Sequence, residues 1–361
     1  MSNKILFDAD FKNDPVGQQM CFRLIDACKN IAPEYVFCGI AQEDTEEKIP
    51  ENATIKSLGL MGVDSLWRAL IPSFWGMVNK NIPFYFPAGN IPSLIPSNTP
   101  VVSLIRDILP LDAIKDENAL KSYKRQLQTD INRSDLVFVL SDKVKERLTK
   151  EFLFLNEPVV LNFASLIPDE YIDLPMARLN EKYFFVDVEN VSPGAFSDLL
   201  KFFIYSQMKN KKATKLYLSG TPKVINQELL VNLEVARKVG AIREYKNLTS
   251  QQRSMLLRGA IGAVLPTRID VLPFAHLDAM RCSCPVITDN MPSIAETCAD
   301  AVIYADISDT KSFKMLLMRL EQDQNFRNEY IYRGLSREKL FTWKNSAHIF
   351  LDSINNLLTA E

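Results

Sequence analysis

Short apolar runs recur along the chain, separated by polar turn-forming stretches and by segments of helical periodicity. Lys4-Ile5-Leu6-Phe7-Asp8 is the first; a loop with Pro15 and Gly17 follows, and then Met20-Cys21-Phe22-Arg23-Leu24-Ile25 reads as a helix. Similar runs stand at Tyr35–Cys38, Phe84–Phe86, Val101–Ile105, Leu136–Leu140 and Val159–Asn162. Pro168 to Pro175 is polar and marked by prolines, as a linker would be. A second series begins after it, with strand candidates at Tyr183–Val186, Lys215–Leu218, Gly262–Leu265 and Pro285–Thr288. Strands alternating with helices predict parallel sheets covered on both faces. From Phe341 to Leu358, Ile349, Phe350, Ile354 and Leu357 fall at helical spacing and predict an amphipathic closing helix. The fold class expected is α/β, with two doubly wound, Rossmann-like domains in series. Residues 1–172 form the first domain, 173–340 the second, and 341–361 the helix that packs back toward the first. Ligands of such sheets bind at the carboxyl ends of the strands, so a central cleft faced by both domains is the expected site.

Composition narrows the chemistry. A chain of 361 residues exceeds what one core usually serves, in keeping with two domains. The formal net charge of −2 leaves no global field to recruit nucleic acid, and none is expected as a partner. Six cysteines in two distant groups, with no secretory leader read before Lys4, predict a reduced, cytoplasmic setting. Cys282-Ser283-Cys284 lacks the two-residue spacer of metal sites, and His276 is the only imidazole close to it in sequence, so no metal is expected. With 12 glycines in the chain, a site built on glycine-rich phosphate loops is disfavoured.

The most informative stretch lies between Pro266 and Asp306. It carries Asp270, seven residues, Asp278, Ala279-Met280, then Pro285-Val286-Ile287 and Glu296. This order resembles the donor-site signature of glycosyltransferase family 4. Pro100-Val101-Val102 to Pro110-Leu111, Ser134 to Ser141, and Phe341-Thr342-Trp343 are similar to further segments of that family, in the same order. The resemblance implies the GT-B fold and a nucleoside diphosphate sugar as donor. It also implies roles: Asp278 accepts from the ribose hydroxyls and Asp270 from the transferred sugar. Read without the family, the two aspartates are helix-entry charges and surface acids.

Two family features are altered. The basic pair expected after the first strand of the second domain is missing from Asp187 to Phe196, and the glycine turn after the first acid has become Val271-Leu272-Pro273-Phe274. Pro273 offers no amide hydrogen. The candidates to contact the donor are then Arg268 and Lys223 for the diphosphate, with the Ser219-Gly220-Thr221 loop, and Leu272 and Phe274 from the altered turn. Arg243, with Lys246, falls where the family holds the base. In the first domain Arg106 stands where the family has a histidine; it is either an anion contact or the partner of Asp107 or Asp112. Gly17 either lets the first loop approach the donor or is a simple turn residue.

Leu66 to Met77 is aromatic and apolar with one flanking cation, either a core helix or a seat on a membrane. The cationic face from Lys121 to Arg133 reads as solvated. The function expected is retaining transfer of a sugar from the nucleoside diphosphate donor to a saccharide or lipid-linked saccharide. Asp270, Arg268 and Arg106 are its catalytic candidates, with no further cofactor. The expected setting is cytoplasmic, with peripheral contact at the inner membrane face and a partner glycosyltransferase or a homodimer as options. The alternative is a catalytically inactive glycosyltransferase-like protein that binds a glycan or supports an active partner enzyme.

Overall fold

The computed structural model describes the chain other than residues 1–2, 12–13, 44–47, 59–63, 93, 107–110, 112–113, 115, 175–180, 189–190, 192, 212, 223–225, 266–272 and 360–361. It divides into two compact units, Met1–Phe163 with Thr342–Glu361, and Ala164–Phe341.

The first unit holds a seven-stranded sheet of order β3-β2-β1-β4-β5-β6-β7, in which every neighbouring pair is parallel. Its strands are β1 (Lys4–Asp8), β2 (Val36–Ala41), β3 (Ala53–Ser57), β4 (Phe84–Phe86), β5 (Val101–Ile105), β6 (Leu136–Val139) and β7 (Val159–Val160). The central strands are buried on both faces, which is why they read as unbroken apolar runs. Helix α1 (Pro15–Ile31) starts on a proline, and the Asp14 side chain caps it by accepting from the Gly17 amide at 3.0 Å. Helix α2 (Asp64–Val78) turns Trp67 fully inward and packs Ile71 and Trp75 against the core of Leu6, Ile40 and Phe84. The opposite side of the same helix leaves Leu66, Leu70, Phe74 and Met77 exposed. Helix α3 (Glu117–Arg133) exposes its cationic side, where Lys124 pairs with Glu151 at 2.8 Å.

The closing helix, here α12, runs from Trp343 to Thr359 and belongs to the first unit. Phe350 is fully buried, with ring centroids 5.0 Å from Tyr85, 5.4 Å from Phe138 and 6.5 Å from Phe37.

The second unit holds a six-stranded parallel sheet of order β10-β9-β8-β11-β12-β13. Its strands are β8 (Tyr183–Asp187), β9 (Lys215–Ser219), β10 (Ile242–Tyr245), β11 (Ala263–Leu265), β12 (Val286–Thr288) and β13 (Ile303–Tyr304). On β8 the faces alternate: Phe184 and Val186 enter one core with Leu199 and Phe313, while Tyr183 and Phe185 enter the other with Leu257 and Met280.

Three strands went unread from the sequence, β3, β10 and β13. The first two are edge strands whose polar residues break any apolar run, whereas the third, of two residues, lies within the apolar run from Ala301 to Ala305. The division between units falls at Phe163 and Ala164, earlier than the proline-marked stretch, because Ser165, Leu166 and Ile167 bond to or pack within the second unit.

Candidate functional site

The strand ends of the second sheet concentrate charge. The β8–β9 register sets Asp187 beside Ser219, each the last residue of its strand. The strand order runs outward in one direction from β8 and in the other from β11, so the crevice at the ends of these two strands is the topological switch point of the sheet.

Helix α7 (Ser250–Gly259) reaches these ends from the face of Phe185. Thr249 and Gln252 form a capping box at its start, with mutual bonds of 3.0 and 3.2 Å that set the first turn. Arg253 leaves that turn with its guanidinium carbon 5.5 Å from the Phe185 ring centroid. Its Nη1 lies 2.8 Å from Asp187 Oδ2 and donates to Ser219 Oγ at 3.4 Å. Its Nε donates to Asp278 Oδ2 at 3.2 Å.

Asp278 projects from helix α8 (Phe274–Arg281) and is 3% exposed. Its Oδ1 accepts from Ser165 Oγ at 2.7 Å and from the Leu166 amide at 2.8 Å. Counting Arg253, three donors from this chain fill a carboxylate that can take about four. Burial works to lower the Arg253 pKa, but the charges of Asp187 and Asp278 outweigh it and raise the guanidinium further. Two carboxylates and one guanidinium leave these three groups with a formal charge of −1.

His276, two residues before Asp278, is buried at 1% exposure. Thr288 Oγ1 donates to the Leu265 carbonyl at 3.0 Å, so its 2.8 Å contact with His276 Nε2 has the ring as donor. Nδ1 is then the acceptor of a neutral imidazole, with no partner among the described residues, and burial pulls the ring's pKa down to about 4.

Other residues singled out from the sequence are placed as follows. Ser219 joins the triad; Gly220, with φ of 85°, turns the chain out of β9 and donates its amide to the Tyr245 carbonyl, and Thr221 is exposed. Phe274 opens α8 half-buried. Arg243, expected in a loop that meets the base, lies within β10. Its Nε lies 3.3 Å from Glu181, which precedes β8, so the side chain is drawn toward the amino end of the sheet, away from the strand ends. Arg268, Asp270, Leu272 and Lys223 lie outside the described residues.

In the first unit Arg106, following β5, pairs with Asp14, its Nη2 2.6 Å from Oδ2 and its Nη1 donating to Oδ1 at 3.0 Å; Asp107 and Asp112, the two acids expected as partners, lie outside the described residues. Gly17 is not in a loop but in the first turn of α1. A Cβ there would stand 2.2 Å from Asp14 Oδ2 and 2.6 Å from Arg106 Nη1, so the missing side chain is what lets the ion pair lie against the helix.

Sequence reasoning missed Arg253 and Asp187. Arg253 lies 25 residues before Asp278 and 34 after Ser219, in a segment whose only local signal is its helix cap. The acid ending β8 was a usable signal, since a charge closing a strand of four apolar residues needs a counter-ion.

Residues 194–337 match the family model described as glycosyl transferases group 1. An O-antigen chain mannosyltransferase B of Escherichia coli is 27% identical over 238 residues, 63% of this chain and 62% of that protein. A serotype-specific mannosyltransferase WbdA of Escherichia coli is 22% identical over 290 residues, 75% of this chain and 34% of that protein. The match thus spans less than two thirds of either relative. Among solved structures, sucrose-phosphate synthase from Thermosynechococcus elongatus superposes with a TM-score of 0.74 at 12% identity, covering 99% of this chain and 100% of that one. WaaG, a glycosyltransferase involved in lipopolysaccharide biosynthesis, gives 0.72 at 13% identity, covering 97% and 99%. At such identities the likeness is one of fold, two Rossmann-like domains of the GT-B kind. No described helix is long and apolar enough to cross a membrane.

Proposed function

We propose that this chain, a GT-B protein of the glycosyl transferases group 1 type, moves a sugar from a nucleoside diphosphate donor to a saccharide or lipid-linked saccharide during glycan assembly, with retention at the transferred carbon. The observation that carries this reading is the coincidence of the family match over residues 194–337 with a carboxylate, Asp278, at the switch point of the matched sheet. Both relatives named above are mannosyltransferases, which makes mannose the first sugar to test. Asp278 receives the ribose, its remaining acceptor capacity lying on Oδ2, and Asp270 the sugar. Arg106 is the candidate of the first unit for contact with the acceptor. The apolar face of Leu66, Leu70, Phe74 and Met77 is the surface offered to a membrane bearing a lipid-linked acceptor.

A transfer assay with radiolabelled nucleoside diphosphate mannose and oligosaccharide acceptors tests the reading, alongside thermal shifts with a panel of nucleoside diphosphates. A ligand at 100 times its dissociation constant adds about 2.7 kcal/mol of stability. No shift and no transfer with any donor would sink it.

One observation favours a second reading, that of a non-catalytic relative. Asp278 is occupied by this chain's own donors, and the triad around it is net negative, which opposes a diphosphate. Under that reading glycan binding persists with no nucleotide affinity.

A further inference from the structure

We propose that Arg253 is the cation that meets the donor's diphosphate, and that Asp187 is the counter-ion it releases to do so. The inference rests on the donor reading above.

Position comes first. The Arg253 guanidinium lies against the last residues of β8 and β9, next to the switch point of the sheet, where anionic ligands of doubly wound folds meet the protein. Arg243 is drawn toward the other end of the sheet by Glu181. The segment after β8 that would hold a basic pair supplies an acid, Asp187, and the cation arrives from α7 instead.

Geometry comes second. Arg253 divides its donors between two carboxylates: Nε serves Asp278, Nη1 serves Asp187 and Ser219, and Nη2 bonds to no other described residue. The Arg253 side chain keeps 17% of its surface exposed, against 5% for that of Asp278. The Nε bond and the Phe185 ring hold the plane of the group. A phosphate oxygen pair can then take the Nη edge in the bidentate manner that arginine favours, replacing Asp187 without disturbing Asp278.

Charge comes third. Asp187 holds the Nη1 donor of Arg253, so a diphosphate that takes this edge competes with the Asp187 carboxylate for it. The arrangement therefore makes a prediction opposite in sign to that of a structural ion pair: removing the charge of Asp187 improves phosphate binding.

The test is calorimetry with GDP and UDP, and with guanosine and uridine as phosphate-free controls, on the full chain and its variants. Asp187→Asn preserves shape and the Arg253–Asp278 bond. It should tighten binding of the diphosphate that binds the parent by about fivefold or more and leave the nucleoside unchanged. Arg253→Gln should weaken the diphosphate by about tenfold or more, again with the nucleoside unchanged. Unchanged or weaker diphosphate binding by Asp187→Asn overturns the proposal, and so does an Arg253→Gln variant that loses both ligands equally or neither. If Arg253→Gln does not fold, Asp187→Asn decides alone. Should the parent and Asp187→Asn bind no nucleoside or diphosphate, the donor reading falls and takes this inference with it; a parent that binds diphosphate with no response to either variant removes Arg253 only.

Discussion

Asp278 holds Ser165 at 2.7 Å and the Leu166 amide at 2.8 Å, tying the opening residues of the second unit to a helix more than a hundred positions later. The same carboxylate meets Arg253 through its other oxygen. Asp278→Asn turns the charged acceptor of Ser165 into a weaker neutral one and leaves Arg253 with one counter-ion, and should destabilise the chain by about 3 kcal/mol. Ser165→Ala should cost about 1 to 2 kcal/mol, and the double variant less than the sum. Urea unfolding of the four proteins measures the cycle; strict additivity would show that the two side chains do not share the bond.

Gly17 and Arg106 make a second such pair. Gly17→Ala places a methyl into the Asp14–Arg106 contact and should cost about 1 to 2 kcal/mol through the lost cap and ion pair. In an Asp14→Ala background the contact is already gone, and the same substitution becomes neutral or stabilising by up to about 1 kcal/mol, since alanine is the better helix residue. The reversal of sign, read from unfolding midpoints, distinguishes this role from a need for glycine in its own right.

His276 supplies a pH dependence. Its folded pKa of about 4 lies below the ordinary 6.5, so the unfolded chain takes up a proton that the folded one refuses. The stability it contributes is fully present above pH 6.5 and is lost as pH falls through about 4, roughly 3 kcal/mol in all. His276→Gln retains a donor for Thr288 without the titration. The stability difference between pH 7.5 and 4.5 should therefore be smaller in the variant, and equal differences would contradict the assignment.

Phe350 tests the closing helix. It is fully buried among Phe37, Tyr85 and Phe138 of the first sheet. Phe350→Ala should cost about 3 to 5 kcal/mol, the usual range for deleting a buried ring. A loss below about 1 kcal/mol in a chemical melt would mean that α12 contributes little to the core of the first unit.

Much of the fold was legible because its signals are local. A strand buried on both faces must be apolar throughout, so β1, β4, β5, β6, β8 and β9 announced themselves as runs. The edge strand Ile242–Tyr245, with Arg243 and Glu244 exposed, offers no such run. The site was legible only in part. Asp278 emerged from a motif within one stretch of chain, whereas Ser165, Asp187 and Arg253 carry nothing nearby that marks them as its neighbours.

Local pattern therefore specified the alternation of strands and helices, the two parallel sheets and the closing helix, because each depends on residues a few places apart. Only the tertiary structure decided which charges meet. The β8–β9 register sets Asp187 beside Ser219, the cap of α7 aims Arg253 at both, and α8 brings Asp278 beneath the same guanidinium. Ion pairing depends on distances of a few ångströms between groups far apart in the chain, and those distances exist only after the hydrophobic faces have chosen their partners.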